Sequence, residues 1–260
     1  MDKKTQESHN KLILDQFTKQ AIPFVNIPGH SGEGAAKLLV EMTGINKQDT
    51  VLDVACGPGL LTSSLAPCVR QITGIDLVPA MIEQAKKLQS QKKLSNMTWK
   101  VGDVLPLPYS DNSFSIVVTR YSFHHFLDPQ AVMKEMLRVV KPHGKVAVVD
   151  VFTNSKAQSD AYDELEKLRD PSHVHALFLA EFREMISKAG FAHPQERFYK
   201  IDIKLEEQYK SPSLKENDLE MIRRAVVDDI GKDRLGWGAH RKGDEIYLSY
   251  PTAVFVGEKP

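Results

Sequence analysis

The stretch Val51-Leu52-Asp53-Val54-Ala55-Cys56-Gly57-Pro58-Gly59-Leu60 constrains the fold of this chain more than any other. Four residues of buried-strand character run into a tight glycine turn, and the apolar residues behind it open a helix. Gly57 and Gly59 have no Cβ, so the turn can take left-handed backbone angles and a ligand can lie against the main chain. The first N–H groups of the following helix have no partner inside that helix and face the same ligand. A strand–turn–helix of this kind suits a nucleotide-like molecule. Glycines also occupy such turns for packing alone, so the neighbouring segments decide between the two.

Those segments alternate. A second strand over Val69–Ile75 closes on Asp76, and Pro79 opens a helix at a position where its missing N–H costs little. Met81, Ile82, Ala85 and Leu88 recur at helical spacing. Met97–Val101 forms a third strand ending in Gly102-Asp103-Val104, and a proline-rich loop leads to a fourth over Ser115–Thr119. A helix carrying Val132, Met133, Met136 and Val140, the turn Pro142-His143-Gly144 and a fifth strand, Val146–Val151, follow. Five alternations of strand with helix predict a parallel, doubly wound α/β sheet.

The flanks read differently. Residues 1–10 read as a solvated lead-in, followed by a short helix around Leu12–Phe17 and a glycine-rich loop holding His30. A helix from about Ala35 to Met42 precedes the first strand. Beyond the fifth strand come a charged helix over Asp160–Arg169, the break Asp170-Pro171-Ser172-His173 and a helix over Leu179–Ala189. Late strands are expected at Arg197–Ile203 and Thr252–Gly257, with a polar excursion containing Trp237 between them.

Composition excludes several classes. Lys+Arg and Asp+Glu both number 34 in 260 residues, so no net field favours nucleic acid or an anionic membrane. No apolar run is long enough to cross a bilayer. A polar N-terminus and two cysteines, Cys56 and Cys68, predict a cytoplasmic, reduced protein with no disulfide framework. His173-x-His175 alone makes no metal site, and none is expected.

Four features stand at the right spacing for one ligand. Asp53-x-x-x-Gly57-x-Gly59 follows the first strand, and Asp76 ends the second, where an acid can hold ribose hydroxyls. Asp103 ends the third strand, and Leu107-Pro108-Tyr109-x-x-Asn112-Ser113-Phe114 precedes the fourth. Position 62 is Thr62, so the third glycine of the dinucleotide pattern is missing. Together with Leu137-Arg138-Val139-Val140-Lys141-Pro142-x-Gly144, this set resembles class I S-adenosylmethionine-dependent methyltransferases, in particular the ubiquinone/menaquinone-type small-molecule branch. The resemblance covers about Asp49 to Asp150. Ser115 departs from it, since family members usually carry an acid directly after that phenylalanine.

The resemblance implies a Rossmann-like, seven-stranded, mostly parallel sheet whose last strand is antiparallel, with N-terminal and late helical lid segments. Residues 1–34 would be the lead-in or lid. Residues 35–260 would form the donor-binding domain, with a lid-like insertion at about 204–251. S-adenosylmethionine would lie against Ala55, Cys56, Gly57 and Gly59, with Asp53 organising the loop. Asp76 would hold the ribose, Leu77 and Met81 would cover the adenine, and Gly102, Asp103 and Val104 would flank its amino group. Arg120, Tyr121 and Phe17 would stand at the methionine end. His125 or His124 is the candidate base, and His30, His173 and Trp237 are candidate substrate contacts. The implied reaction is in-line transfer of the donor methyl to a small-molecule acceptor. Balanced charge, and Thr119-Arg120-Tyr121-Ser122 in place of an Asn-Pro-Pro-Tyr or Asp-Pro-Pro-Tyr signature, argue against a nucleic-acid or protein acceptor. The sequence leaves open a protein that binds the donor without transferring methyl (a rearrangement catalyst or regulatory module) and the oligomeric state.

Overall fold

In the computed structural model, residues 3–25, 33–209 and 214–260 are described. The sheet is built around β1 (Thr50–Val54), whose residues Val51 to Val54 are buried. It pairs in parallel with β2 (Gln71–Asp76) on one side and β4 (Phe114–Arg120) on the other. β3 (Met97–Val101) continues beyond β2, and β5 (Val140–Val151) beyond β4. After these come β6 (Ala192–Lys204), the short β7 (His240–Lys242) and β8 (Glu245–Glu258). Among the described residues the spatial order is β3-β2-β1-β4-β5-β8-β6, the expected seven strands, with the short β7 added beside β8 as an eighth. β8 runs antiparallel to both β5 and β6 and is the one reversed strand of the main path, as expected for the last strand.

Alternation along the strands makes two cores. Leu52, Val54, Val117, Val146 and Val148 point to one face, where α5 (Pro129–Val139) and α7 (Leu179–Ala189) cover them. Val51, Ile72, Val118, Ala147 and Val149 point to the other, covered by α2 (Glu33–Thr43) and α3 (Leu60–Leu65). α4 (Pro79–Gln91) begins with Pro79 at its first position, and Asp128 caps α5 by accepting from the Ala131 N–H at 2.9 Å. Ser115 uses its hydroxyl where the resembled family has an acid. It donates to Asp49 at 2.8 Å and accepts from the Thr50 N–H at 2.9 Å, joining the lower ends of β1 and β4.

Three segments differ from the sequence expectations. The N-terminal lead-in is α1, a helix over Lys3–Val25 packed against α4. β8 starts seven residues before Thr252, because Glu245–Tyr250 pair with β6 and β7 although their outward positions are polar. The excursion is also no loose flap. With α6 (Lys156–Arg169), its helices α8 (Leu205–Gln208) and α9 (Glu216–Asp229) enclose a third core around Ile222, Val226, Leu248 and Trp237. Trp237 is 0% exposed and meets Tyr162 edge-on at 5.5 Å, so its size serves that core.

Candidate active site

The order of parallel strands reverses between β1 and β4, and an α/β sheet opens a crevice at the carboxyl ends of its strands there. A cavity of about 1050 Å3, its open mouth included, occupies that position. Asp53 and Ala55–Gly57 reach it from β1, Asp76–Val78 from β2, Asp103–Leu105 from beyond β3, and Arg120–Ser122 from β4. Met81 lines it from α4.

The glycine turn is held to β2 by main-chain and side-chain bonds. Cys56 donates its N–H to Ile75 O at 3.0 Å, and Gly57 donates to Asp76 Oδ2 at 2.7 Å. Val78 N–H donates to the other Asp76 oxygen at 2.9 Å. Each carboxylate oxygen has a lone pair left, so Asp76 can organise the loop and still accept from two vicinal hydroxyls. Gly57 has φ +54°, and a Cβ there would stand in open space facing the cavity. Gly59 serves packing instead. Its φ is +76° and a Cβ would lie 2.6 Å from the Trp99 ring, away from the cavity lining. Gly102 likewise does not line the cavity; a Cβ there would meet Ile75.

Burial sets the charges. It pushes Asp53 up to about 7, against the hydrogen bond from the Thr62 hydroxyl, and pushes Asp76 up to about 6. Burial, with these two carboxylates alongside, raises the Cys56 thiol further above its usual value, so it is no nucleophile at neutral pH. The cavity therefore offers acceptors and partial negative charge at one end.

The sequence reading placed Phe17 at the site and residues 1–34 as a lead-in or lid, but missed the rest of the wall contributed by α1. Gln6, His9, Asn10, Ile13 and Phe17 lie along one face of the helix and line the cavity. Asn10 Nδ2 donates to Asp103 at 2.7 Å, and His9 Nε2 donates to the His125 carbonyl at 2.7 Å. The i, i+3, i+4, i+7 and i+11 spacing of these side chains was the available signal.

A second chamber, about 730 Å3 with its mouth, adjoins the first through Phe17, Tyr121 and His125. His124, Glu166, Arg169, Gln208 and Tyr250 also line it. The two candidate bases differ. Burial works to lower His124, but Asp150 at 2.7 Å, with Glu166 and Asp170 nearby, outweighs it and raises the group. Burial and the charge of His124 lower His125 and keep it neutral. His125 Nδ1 faces the Ser172 carbonyl at 3.1 Å, which assigns the proton to Nδ1 and leaves the lone pair on Nε2.

The remaining sequence candidates lie elsewhere. His173 is 3% exposed, bonds Asp163 at 2.7 Å through Nε2 and stacks on Tyr162, lining neither cavity. Trp237 lines neither. His30 lies outside the described residues. Among the described residues no cluster could hold a metal ion, and no helix is long and apolar enough to cross a membrane.

A family model described as "Methyltransferase domain" matches residues 52–148. The demethylmenaquinone methyltransferase of Lactobacillus johnsonii is 35% identical over 180 residues, covering 61% of this chain and 74% of that protein. The chain belongs to the S-adenosylmethionine-dependent methyltransferases, and S-adenosylmethionine is its methyl donor. An uncharacterized methyltransferase of Bacillus subtilis, YcgJ, is 29% identical over 226 residues, 85% of this chain and 89% of that protein. The crystal structure of YcgJ matches with a TM-score of 0.79 at 24% identity, covering 87% and 98% of the two chains. A Haemonchus contortus phosphoethanolamine N-methyltransferase in complex with S-adenosyl-L-methionine shares the fold, with a TM-score of 0.66 at 18% identity over 94% and 57% of the chains.

Proposed function

We propose that this enzyme methylates a small molecule held in the second chamber, with the donor in the first. The observation that carries the reading is the wall shared by the two cavities, Phe17, Tyr121 and His125. A nucleophile there lies beside the donor cavity. In this reading Asp76 binds the ribose hydroxyls, Leu77 and Met81 sandwich the base, and Asp103 exchanges Asn10 for the adenine amino group. Ala55, Cys56 and Gly57 follow the methionine portion.

Bound S-adenosylmethionine supplies a methyl carbon already activated by the adjacent sulfonium charge. The acceptor's lone pair forms the new bond to that carbon as the carbon–sulfur bond breaks, and the donor leaves as the neutral thioether. The protein's task is alignment, which in favourable intramolecular cases supplies roughly 7–11 kcal/mol. Where the acceptor loses a proton, His125 Nε2 receives it, and Asp170 Oδ2 at 4.0 Å is the counter-charge to the imidazolium. α1 and the described residues of the late excursion act as the covers. α1 lines both cavities, and the excursion lends Gln208 and Tyr250 to the acceptor side. The two free cysteines and balanced charge fit a cytoplasmic enzyme.

The test is transfer from methyl-labelled donor to a panel of small molecules with the wild-type protein and His125→Gln. The variant is expected to keep its affinity for S-adenosylhomocysteine and to lose about 10²–10⁴-fold in turnover. Full activity in the variant removes His125 from the chemistry. Label appearing only on macromolecules overturns the small-molecule reading.

A further inference from the structure

We infer that the second chamber selects a compact amine, bound in its ammonium form. The inference rests on the reading that this chamber holds a small-molecule acceptor and names the chemistry by which it would be recognised.

The chamber contains a buried carboxylate oxygen without a donor. Glu166 is 4% exposed, and its Oε1 accepts both the Nε and Nη2 hydrogens of Arg169. Its Oε2, on the same chamber-lining side chain, is buried and has no hydrogen-bond partner. Gln208 and Tyr250 lie side by side on the same lining, where the Tyr250 hydroxyl can donate to Gln208 Oε1. Native interiors satisfy nearly all such atoms, so the bare Glu166 oxygen on the lining of this chamber marks a place where a ligand supplies the donor. An ammonium brings three N–H donors on one atom, whereas a hydroxyl brings one.

The charge balance points the same way. Arg169 is committed to Glu166, and His124 is matched by Asp150 at 2.7 Å. Asp170 remains, with its Oδ1 held by the Ser172 N–H at 2.9 Å and its Oδ2 4.0 Å from neutral His125. One carboxylate charge is thus in excess within the chamber. Tyr121, Tyr162 and Phe17 add aromatic lining, and the ring faces of such side chains attract a cation. A carboxylate or phosphate would meet Asp170 and the bare Glu166 oxygen with no uncommitted guanidinium to offset them.

Three probes that share a phenol ring and differ in terminal charge test this: tyramine, 4-ethylphenol and 3-(4-hydroxyphenyl)propanoate. Each is titrated calorimetrically into the full chain saturated with S-adenosylhomocysteine. Tyramine is expected to bind at least 10-fold more tightly than 4-ethylphenol, with the propanoate weakest. Glu166→Gln is expected to erase the tyramine advantage. Because that change leaves Arg169 without its full partner, Tyr250→Phe is the second variant. It removes one polar atom from the lining without changing its charge and should weaken tyramine at least threefold, with 4-ethylphenol unchanged. If the neutral or anionic probe binds as well as tyramine, amine selection is wrong and the small-molecule chamber survives. If S-adenosylhomocysteine binds and none of the three probes does, both readings fall together.

Discussion

Asp76 ties the glycine turn to β2 through Gly57 and Val78, and its spare lone pairs face the donor cavity. Asp76→Asn keeps the shape but loses one charge-assisted acceptor, so affinity for S-adenosylhomocysteine should fall by about 2 kcal/mol in calorimetry. The pH dependence has a definite sign. Burial raises the carboxyl to about 6 in the free protein, and hydroxyl donors favour its ionised form. Donor affinity should therefore fall as pH drops through 6, and Asp76→Asn should remove that step. The two turn glycines separate by the same reasoning. A Cβ at Gly57 enters the cavity, so Gly57→Ala should weaken donor binding and cost about 1–2 kcal/mol of stability from its positive φ. Gly59→Ala carries the same strain plus an overlap with Trp99, and its denaturation midpoint should fall further.

At the scale of elements, β1 to β5 and the acids at their ends were legible because each strand is a short apolar run bounded by a turn. The edges were less so. β6 alternates exposed and half-buried residues, and the first half of β8 pairs there with polar outward positions, so neither announces its full length. α1 was misread because its buried face is largely polar: His9, Gln16 and Gln20 are buried there. Apolar periodicity is blind to a helix that covers a ligand cavity. The loop after α6 was read as a possible substrate turn, and it is a staple between helices. Asp163 of α6 accepts from His173 and His175 at 2.7 Å, and His175 also reaches Glu181 of α7 at 2.9 Å. The hydrogen bond to Asp163 raises His175 to about 9, burial opposing and Glu181 assisting. A histidine raised in the fold contributes stability that is complete below its unfolded value of about 6.5 and is lost as pH rises through 9. The thermal midpoint should decline between pH 7 and pH 10, and His175→Gln should flatten that decline while lowering the midpoint at pH 7.

The whole molecule keeps its two cavities on different supports. The donor cavity sits on β1, β2 and β4 and is roofed by α1, and its walls rest on the cores beneath the parallel strands. The second chamber, the proposed acceptor site, leans on the third core, since Ile203, Tyr250 and Tyr162 belong both to its lining and to the cluster around Trp237. A lesion in that core should therefore loosen one cavity and spare the other. Trp237→Ala is the sharpest such lesion, because a fully buried indole leaves a large hole at a cost of about 3–5 kcal/mol. Hydrogen exchange should show lost protection over residues 216–250, while β1, β2 and β4 stay protected. Affinity for S-adenosylhomocysteine should stay within about twofold of wild type, since 1 kcal/mol already corresponds to a larger factor. Turnover should collapse, because the acceptor loses the wall that aligns it. Equal loss of protection across the sheet would mean that the third core and the parallel strands unfold as one unit, and the separation of supports would then be wrong.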